Sequence, residues 1–218
     1  MEITIVPDRI PKVIVASHER SGTHFLMNTI ADNFGYISEP WIDIDWPEVQ
    51  NPYPAENFKA FLSQFQGRGV LNVFKTHFPF DFFEPVFDWL LTHFTVFYIY
   101  RQLEPCMASL CKHINGWPWK MGPEAENGEQ LAGMEPSGAL LRYQMEQKEN
   151  CAIRWRDHQQ SWFRAEGVHF VQYERLDNDF DTEVRKIGKV LDAHVTDIVR
   201  PSRGERVIIS EEAIKRAG

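Results

Sequence analysis

The chain has 218 residues and a formal net charge of −8 at pH 7, with 43% hydrophobic and 25% charged residues. This length is sufficient for the core of one α/β domain, and the composition is that of an ordinary globular protein. The negative charge argues against a broad polyanion-binding surface, because such surfaces are rich in lysine and arginine. We therefore expect one domain over residues 1–218 and no nucleic-acid partner.

The sequence shows no pattern typical of a signal peptide or a membrane span. Its first apolar run is only about four residues long, and the apolar stretch 82–100 is interrupted by Glu84 and Asp88. Three cysteines are too few for a disulfide framework, and their spacing fits no common zinc site. They are Cys106, Cys111 and Cys151. We expect a cytoplasmic protein that uses no metal and no membrane.

Residues 13–34 predict a strand, a tight loop and a helix. The run 13–16 is apolar and rich in β-branched residues, as in a buried parallel strand, and small polar residues follow up to Gly22. Apolar residues then recur at helical spacing from Thr23 until Gly35. Such a turn directs backbone N–H groups and the positive end of a helix dipole at an anion, and Arg20 adds a full charge. The stretch therefore predicts a P-loop-like, phosphate-binding loop, although the Gly-Lys-Ser/Thr pattern of nucleoside triphosphate loops is missing.

The rest of the chain alternates between strand and helix patterns. Four prolines predict an irregular surface segment over residues 39–57, and residues 115–138 predict a long loop rich in Gly and Pro. Further strands are expected at residues 70–75, 95–100 and 168–173. Further helices are expected at residues 58–65, 83–94, 104–114, 139–165 and 180–191. This alternation predicts an α/β fold with a central parallel sheet flanked by helices on both faces.

Cationic side chains accompany three of the four expected strands. Arg20 follows the first strand, Lys75 ends the second with His77 two residues later, and Arg101 follows the third. Ser109 comes eight residues after Arg101, in the next expected helix. Ligands of parallel α/β sheets collect at the carboxyl ends of the strands. The sequence therefore predicts an anion-binding site at one edge of the sheet.

These segments together resemble sulfotransferases that use 3′-phosphoadenosine 5′-phosphosulfate (PAPS) as donor. The stretch Ser-His-Glu-Arg-Ser-Gly-Thr-His-Phe at residues 17–25 is similar to the 5′-phosphosulfate loop of that family. Lys-Thr-His-Phe-Pro at 75–79 resembles the catalytic strand end of its cytosolic branch. Tyr-Arg at 100–101, with Ser109, resembles the 3′-phosphate motif, and Tyr-Glu-Arg-Leu at 173–176 resembles a further family segment. The resemblance implies the sulfotransferase fold.

The resemblance also implies how the donor PAPS and the product PAP would be held. Backbone N–H groups of the loop would bind the 5′-phosphosulfate, and Arg20 would neutralise charge on the leaving oxygen. The loop residues concerned are Ser21, Gly22, Thr23 and His24. The 3′-phosphate would be bound by Arg101, Ser109 and the C-terminal pair Arg203 and Gly204. Phe25 or Tyr173 would pack on the adenine.

The same resemblance implies the catalytic groups. His77 would take the proton from the acceptor, since imidazole titrates near neutral pH, and Lys75 would stabilise charge on the sulfuryl oxygens. The cytosolic branch has a lysine at the position of Arg20. An arginine there resembles the tyrosylprotein branch and some bacterial branches, in which a glutamate can serve as base. Glu39 is therefore the alternative base.

The acceptor implied by the resemblance is a small molecule with a hydroxyl or amine group. Six aromatic residues are candidates for an aromatic or apolar acceptor pocket, although such residues also form cores. They are Trp41, Trp46, Phe78, Phe80, Trp117 and Trp119. His18, His113 and His158 receive no predicted role. Two other functions stay open: a kinase-like nucleotide-dependent phosphotransferase, and a catalytically inactive nucleotide-binding protein of the same fold.

Overall fold

A computed structural model describes residues 12–43, 55–64, 72–116 and 151–202. Within them, five strands form one sheet: β1 (Lys12–Ser17), β2 (Ile37–Asp43), β3 (Asn72–Thr76), β4 (Phe94–Tyr100) and β5 (His169–Gln172). The strand order is β2-β3-β1-β4-β5, and all neighbouring strands are parallel. The expected α/β fold with a central parallel sheet flanked by helices is confirmed, and β1 lies at its centre.

Eight α-helices connect or follow these strands in the described part of the chain. They are α1 (Thr23–Phe34), α2 (Ala55–Ser63), α3 (Phe80–Phe83), α4 (Phe87–His93), α5 (Leu103–Gly116), α6 (Cys151–Phe163), α7 (Tyr173–Asn178) and α8 (Phe180–Val190). A 3₁₀ turn over Glu84–Val86 separates α3 from α4. No helix among the residues described is long and apolar enough to cross a membrane.

The two faces of the sheet bury two separate hydrophobic clusters, because side chains alternate along each strand. Ile14 of β1 and Tyr98 of β4 face the first cluster, which α3, α4 and α6 cover. Val13 and Val15 face the second cluster, which α1, α7 and α8 cover. Trp162 of α6 is 1% exposed and stacks on Tyr98, with the ring centroids 5.4 Å apart. This packing places α6 beside the carboxyl ends of β3 and β4.

Strand β2 corrects the expectation of an irregular segment from residue 39 onward. Residues 37–43 pair in parallel with β3 at the edge of the sheet, despite Pro40. Proline is tolerated on an edge strand, where one side of the backbone has no ladder partner. The register shifts between Ile37 and Ile42, which is where Pro40 lies. Residues 44–54 lie outside the described chain.

Two further boundaries differ from those expected. The expected strand 168–173 ends at Gln172, and Tyr173 begins the short helix α7. The expected helix 83–94 is two helices joined by the 3₁₀ turn, because Pro85 lacks the N–H that a continuous helix needs. Of the expected helix 139–165, only the part from Cys151 lies within the described residues.

Candidate active site

The loop between β1 and α1 reverses direction through two left-handed residues. Arg20 has φ 64° and Gly22 has φ 100°, while the Ser21 N–H donates to the His18 carbonyl at 3.2 Å. The ring of Tyr173 covers Gly22 so closely that a Cβ there would lie 2.3 Å from Cδ2 of the ring. Glycine is therefore required at position 22 both by its φ angle and by the space available.

The N-terminus of α1 carries no side-chain cap. Gly22 offers no capping side chain, and no acidic residue lies in the first turn. Thr23 does not cap the helix with its hydroxyl, which contacts the Ser17 hydroxyl at 2.6 Å instead. The first N–H groups of a helix have no acceptor within it. This helix end therefore presents N–H donors and a positive dipole end to an anion.

His77 lies directly after β3 and is joined to the end of β1. Its Nδ1 is 2.8 Å from the carbonyl oxygen of Ser17 and 3.2 Å from the hydroxyl of the same residue. A carbonyl oxygen only accepts, so Nδ1 carries the proton of the neutral ring. The lone pair of the imidazole is then on Nε2. This tautomer is the one that can accept a proton at Nε2.

Lys75 places a second cation beside this histidine. It is 6% exposed and pairs in register with Val15 of the central strand. Burial of the ring, followed by the positive charge of Lys75, holds the pKa of His77 well below its usual value of 6.5. His77 is therefore neutral at physiological pH, which is the protonation state of a general base.

Arg101 reaches from the end of β4 to the same loop. Its Nη1 donates to the Arg20 carbonyl at 3.2 Å, and its guanidinium lies 4.3 Å from the centre of the Tyr173 ring. The carbonyl of Arg101 accepts two hydrogen bonds from α6, from Trp155 Nε1 at 3.2 Å and Gln159 Nε2 at 3.1 Å. Its buried Nε has no hydrogen-bond partner among the described residues.

Arg20 crosses from the loop to α5. Its Nε donates to the hydroxyl of Ser109 at 3.2 Å. Arg20 is exposed, whereas Ser109 and Arg101 are half-buried. The loop therefore has one exposed and one half-buried guanidinium near the open end of α1, and the hydroxyl of Ser109 lies beside them.

The two candidate adenine-packing rings differ in exposure. Phe25 is 6% exposed, and its ring centre lies 5.8 Å from that of Phe180 and 5.7 Å from the Arg200 guanidinium. It belongs to the hydrophobic core. Tyr173 is half-buried at the surface of that core. Of the two residues, Tyr173 is the more exposed.

Some candidate residues are not brought to the loop by the described structure. Glu39 lies within β2, where residues 37 and 42 pair with Asn72 and Phe74, so its backbone lies before the carboxyl end of the sheet. Phe80 is 7% exposed and packs in the core against Trp162. The backbone of Trp41 lies in β2. Five candidate residues lie outside the described parts of the chain: Trp46, Trp117, Trp119, Arg203 and Gly204.

A buried histidine and a buried cysteine both donate hydrogen bonds to a carbonyl group of the loop. His18 is 2% exposed and donates from Nδ1 to the Glu19 carbonyl at 2.9 Å; burial lowers its pKa to about 4. The Cys106 thiol donates to the same carbonyl at 3.4 Å, and burial raises its pKa to about 11. Glu19 also forms an ion pair with Arg154 of α6. Among the described residues no group of His, Cys, Asp or Glu is arranged to hold a metal ion.

The polar face of α6 is a part of the candidate site that the sequence patterns do not predict. Four side chains there donate hydrogen bonds to main-chain carbonyls at the ends of β3 and β4: Trp155, His158, Gln159 and Trp162. Their spacing of three, one and three residues places them on one side of a helix. Donor side chains at that spacing are the signal from which this face can be found.

The sequence of this chain matches the profile of a known protein family. The family profile described as "Sulfotransferase domain" matches residues 10–211. This chain belongs to the sulfotransferase family. This match confirms the predicted family membership. A separate comparison with curated protein sequences found no match.

Three solved structures share the fold at low sequence identity. Mouse sulfotransferase SULT7A1 complexed with PAP has 17% identity and a TM-score of 0.59, over 87% of this chain and 61% of that one. Retinol dehydratase in complex with androsterone and inactive cofactor PAP has 17% identity and a TM-score of 0.54, over 85% and 60%. The sulfotransferase from Alicyclobacillus acidocaldarius has 12% identity and a TM-score of 0.53, over 95% and 89%. The chain thus spans about 60% of the length of the first two.

The substitution Gly22→Ala is expected to lower the free energy of unfolding by about 2 to 4 kcal/mol, because a Cβ meets the Tyr173 ring at a left-handed φ. The matched control is Gly35→Ala, since Gly35 has φ 69° but no atom near its added Cβ. This control is expected to cost only about 1 kcal/mol. Urea denaturation measures the free energy of unfolding of both variants. Equal decreases in the two variants would contradict the expectation that contact with the Tyr173 ring destabilises Gly22→Ala.

Proposed function

We propose that this sulfotransferase transfers the sulfuryl group of PAPS to a hydroxyl or amine of a small acceptor, with His77 as general base. The observation that carries the proposal is the hydrogen bond from His77 Nδ1 to the Ser17 carbonyl. This hydrogen bond leaves Nε2 as the basic nitrogen of the ring. His77 directly follows β3, which pairs with β1, the strand that leads into the proposed phosphate-binding loop. PAP in two structural neighbours supports the choice of donor.

The anion-binding groups of this chain suit a nucleotide with phosphate groups at two positions. Backbone N–H groups at the start of α1 would hold the 5′-phosphosulfate, with Arg20 beside them. Arg101 and Ser109 would bind the 3′-phosphate, and Arg101 has a buried Nε with no partner among the described residues. An anion at this position would satisfy that donor. Tyr173 would contact the adenine, and Arg203 and Gly204 would complete the 3′-phosphate site.

The proposed chemistry is an in-line displacement at sulfur. The bond from sulfur to the bridging oxygen breaks while a bond to the acceptor oxygen or nitrogen forms. His77 Nε2 takes the proton that the acceptor loses, Arg20 neutralises charge on the leaving oxygen, and Lys75 stabilises the sulfuryl oxygens. PAPS supplies the sulfuryl group, and these side chains supply the charge without a metal ion.

Two stacked rings support an aromatic or apolar acceptor. Phe78 and Phe82 lie 4.3 Å apart with an interplanar angle of 13°, and both are half-buried. Phe78 directly follows His77, so an apolar acceptor packed on this pair would lie next to the proposed base. We therefore favour an acceptor with an apolar body and one nucleophilic group.

Binding of PAP tests the donor site directly. By isothermal calorimetry the wild-type protein is expected to bind PAP at least tenfold more tightly than 5′-AMP, which lacks the 3′-phosphate. Arg101→Met is expected to remove most of that preference, since a charge-assisted bidentate contact is lost. The weak binding of 5′-AMP serves as the control and should change little. A preference for PAP that survives in Arg101→Met would contradict the assignment of Arg101.

The identity of the base is tested by two alanine variants. His77→Ala is expected to lower kcat by about 100-fold or more, because general-base catalysis contributes factors of this size, while PAP affinity stays within threefold. Glu39→Ala is expected to keep kcat within threefold. Turnover is measured with radiolabelled PAPS and a panel of phenols, alcohols and amines. The reverse pattern would assign the base to Glu39, and PAP binding without turnover of any acceptor would indicate an inactive nucleotide-binding protein.

The pH profile gives an independent check on His77. Only the neutral ring accepts a proton, so kcat/KM is expected to be full above the pKa of His77 and to fall as pH decreases through it. Because that pKa lies below 6.5, the acid limb should also lie below 6.5. Lys75→Met removes a cation and should move the limb upward, whatever its effect on the maximal rate. An acid limb above 6.5 in the wild type would exclude His77 as the base.

A further inference from the structure

One face of α6 holds the main chain at both halves of the proposed site. His158 Nε2 lies 2.9 Å from the His77 carbonyl, and Trp162 Nε1 donates to the Phe78 carbonyl at 3.1 Å. Gln159 of the same face donates to the Arg101 carbonyl at 3.1 Å. The residue proposed as base and the residue proposed to bind the 3′-phosphate are thus held by neighbouring side chains of one helix.

The hydrogen bonds of His158 determine its tautomer. The His77 carbonyl only accepts, so Nε2 of His158 carries the proton. Nδ1 therefore accepts, and the Tyr98 hydroxyl lies 2.9 Å from it. His158 is 7% exposed and Tyr98 is fully buried, and burial lowers the pKa of His158 to about 4. His158 is therefore a neutral histidine of defined orientation, anchored to the central part of β4.

The segment that carries His77 is held by side chains rather than by a helix or a strand, and these include Thr76, whose hydroxyl accepts from the Phe78 N–H at 3.1 Å. Residues 77–79 lie between the end of β3 and the start of α3 and belong to no helix or strand. Within this segment the Ser17 carbonyl holds the ring of His77 on one side. On the other side, His158 holds the peptide that joins His77 to Phe78. Because the Ser17 carbonyl and His158 hold His77 on two sides, we expect loss of the His158 contact to change the position of the ring relative to the loop.

We propose that His158 is a positioning residue for catalysis, which fixes His77 through its carbonyl, while its neighbour Gln159 fixes the main chain of Arg101 and so supports donor binding. His158 touches neither donor nor acceptor in this proposal. It acts by holding Nε2 of His77 where the acceptor proton is released. Misplacement of a reacting group by about 1 Å is sufficient to lower a rate by about 100-fold.

This inference rests on the proposed function, and matched variants of α6 test it. His158→Met removes the donor at similar size and is expected to lower kcat by about 10- to 100-fold, with PAP affinity within twofold of wild type. His158→Gln keeps an N–H donor at the position of Nε2 and is expected to recover kcat to within about fivefold of wild type. Gln159→Met is expected to show the opposite split, with weaker PAP binding and kcat retained at saturating PAPS.

The exposed Gln160 on the same helix provides the control. Gln160→Ala should change neither PAP affinity nor kcat by more than twofold. The proposal is overturned if His158→Met keeps full kcat, if His158→Gln is no better than His158→Met, or if PAP binding and kcat fall together in His158→Met. Each of these results requires an active wild-type enzyme, so failure of the proposed function is recognised separately as PAP binding without turnover.

If the protein binds PAP but shows no turnover, the position of His77 can still be tested by a measurement that does not depend on activity. Long-range ¹H–¹⁵N correlation spectra report which ring nitrogen of each histidine carries the proton, and His77→Asn and His158→Gln assign the two rings. At pH 7 we expect the Nε2–H tautomer for His158 and the Nδ1–H tautomer for His77, with the His77 signals displaced in His158→Met. A charged or Nδ1–H His158, or unchanged His77 signals, would overturn the proposal.

Discussion

Ser17 is the residue through which three parts of the site fit together. It ends the central strand and is fully buried. Its carbonyl accepts from His77 of the neighbouring strand end, and its hydroxyl contacts Thr23, where α1 begins. The chain must therefore leave Ser17 and return to it within the few residues of the loop. The loop does so through left-handed residues at Arg20 and Gly22, and at position 22 the Tyr173 ring leaves room only for glycine.

A second constraint comes from the carbonyl groups just beyond the strand ends. There the backbone no longer has ladder partners, and a buried carbonyl without a donor is costly. Helix α6 meets this requirement with two indole groups, an imidazole and an amide. The same helix also buries Trp162 in the core, so one element both completes the hydrophobic packing and satisfies the polar edge.

The sequence predicts those parts of the molecule whose signal is local. The strand, loop and helix around Gly22 follow from apolar periodicity and one glycine, and the parallel sheet follows from alternation. Strand β2 is missed because Pro40 argues for an irregular segment, whereas the edge position that tolerates proline is a tertiary property. The contacts of α6 are missed for a similar reason. His158 and the His77 carbonyl lie 81 residues apart, and no local pattern joins a helix residue to a distant carbonyl.

Both outer strands of the described sheet are poor templates for another chain. β2 contains a proline, which lacks a donor, and an irregular register, whereas β5 is only four residues long. Open sheet edges are where proteins associate by strand addition and form aggregates. Pro40 and the irregular register of β2 therefore make this edge of the described sheet unfavourable for the addition of a strand from another molecule.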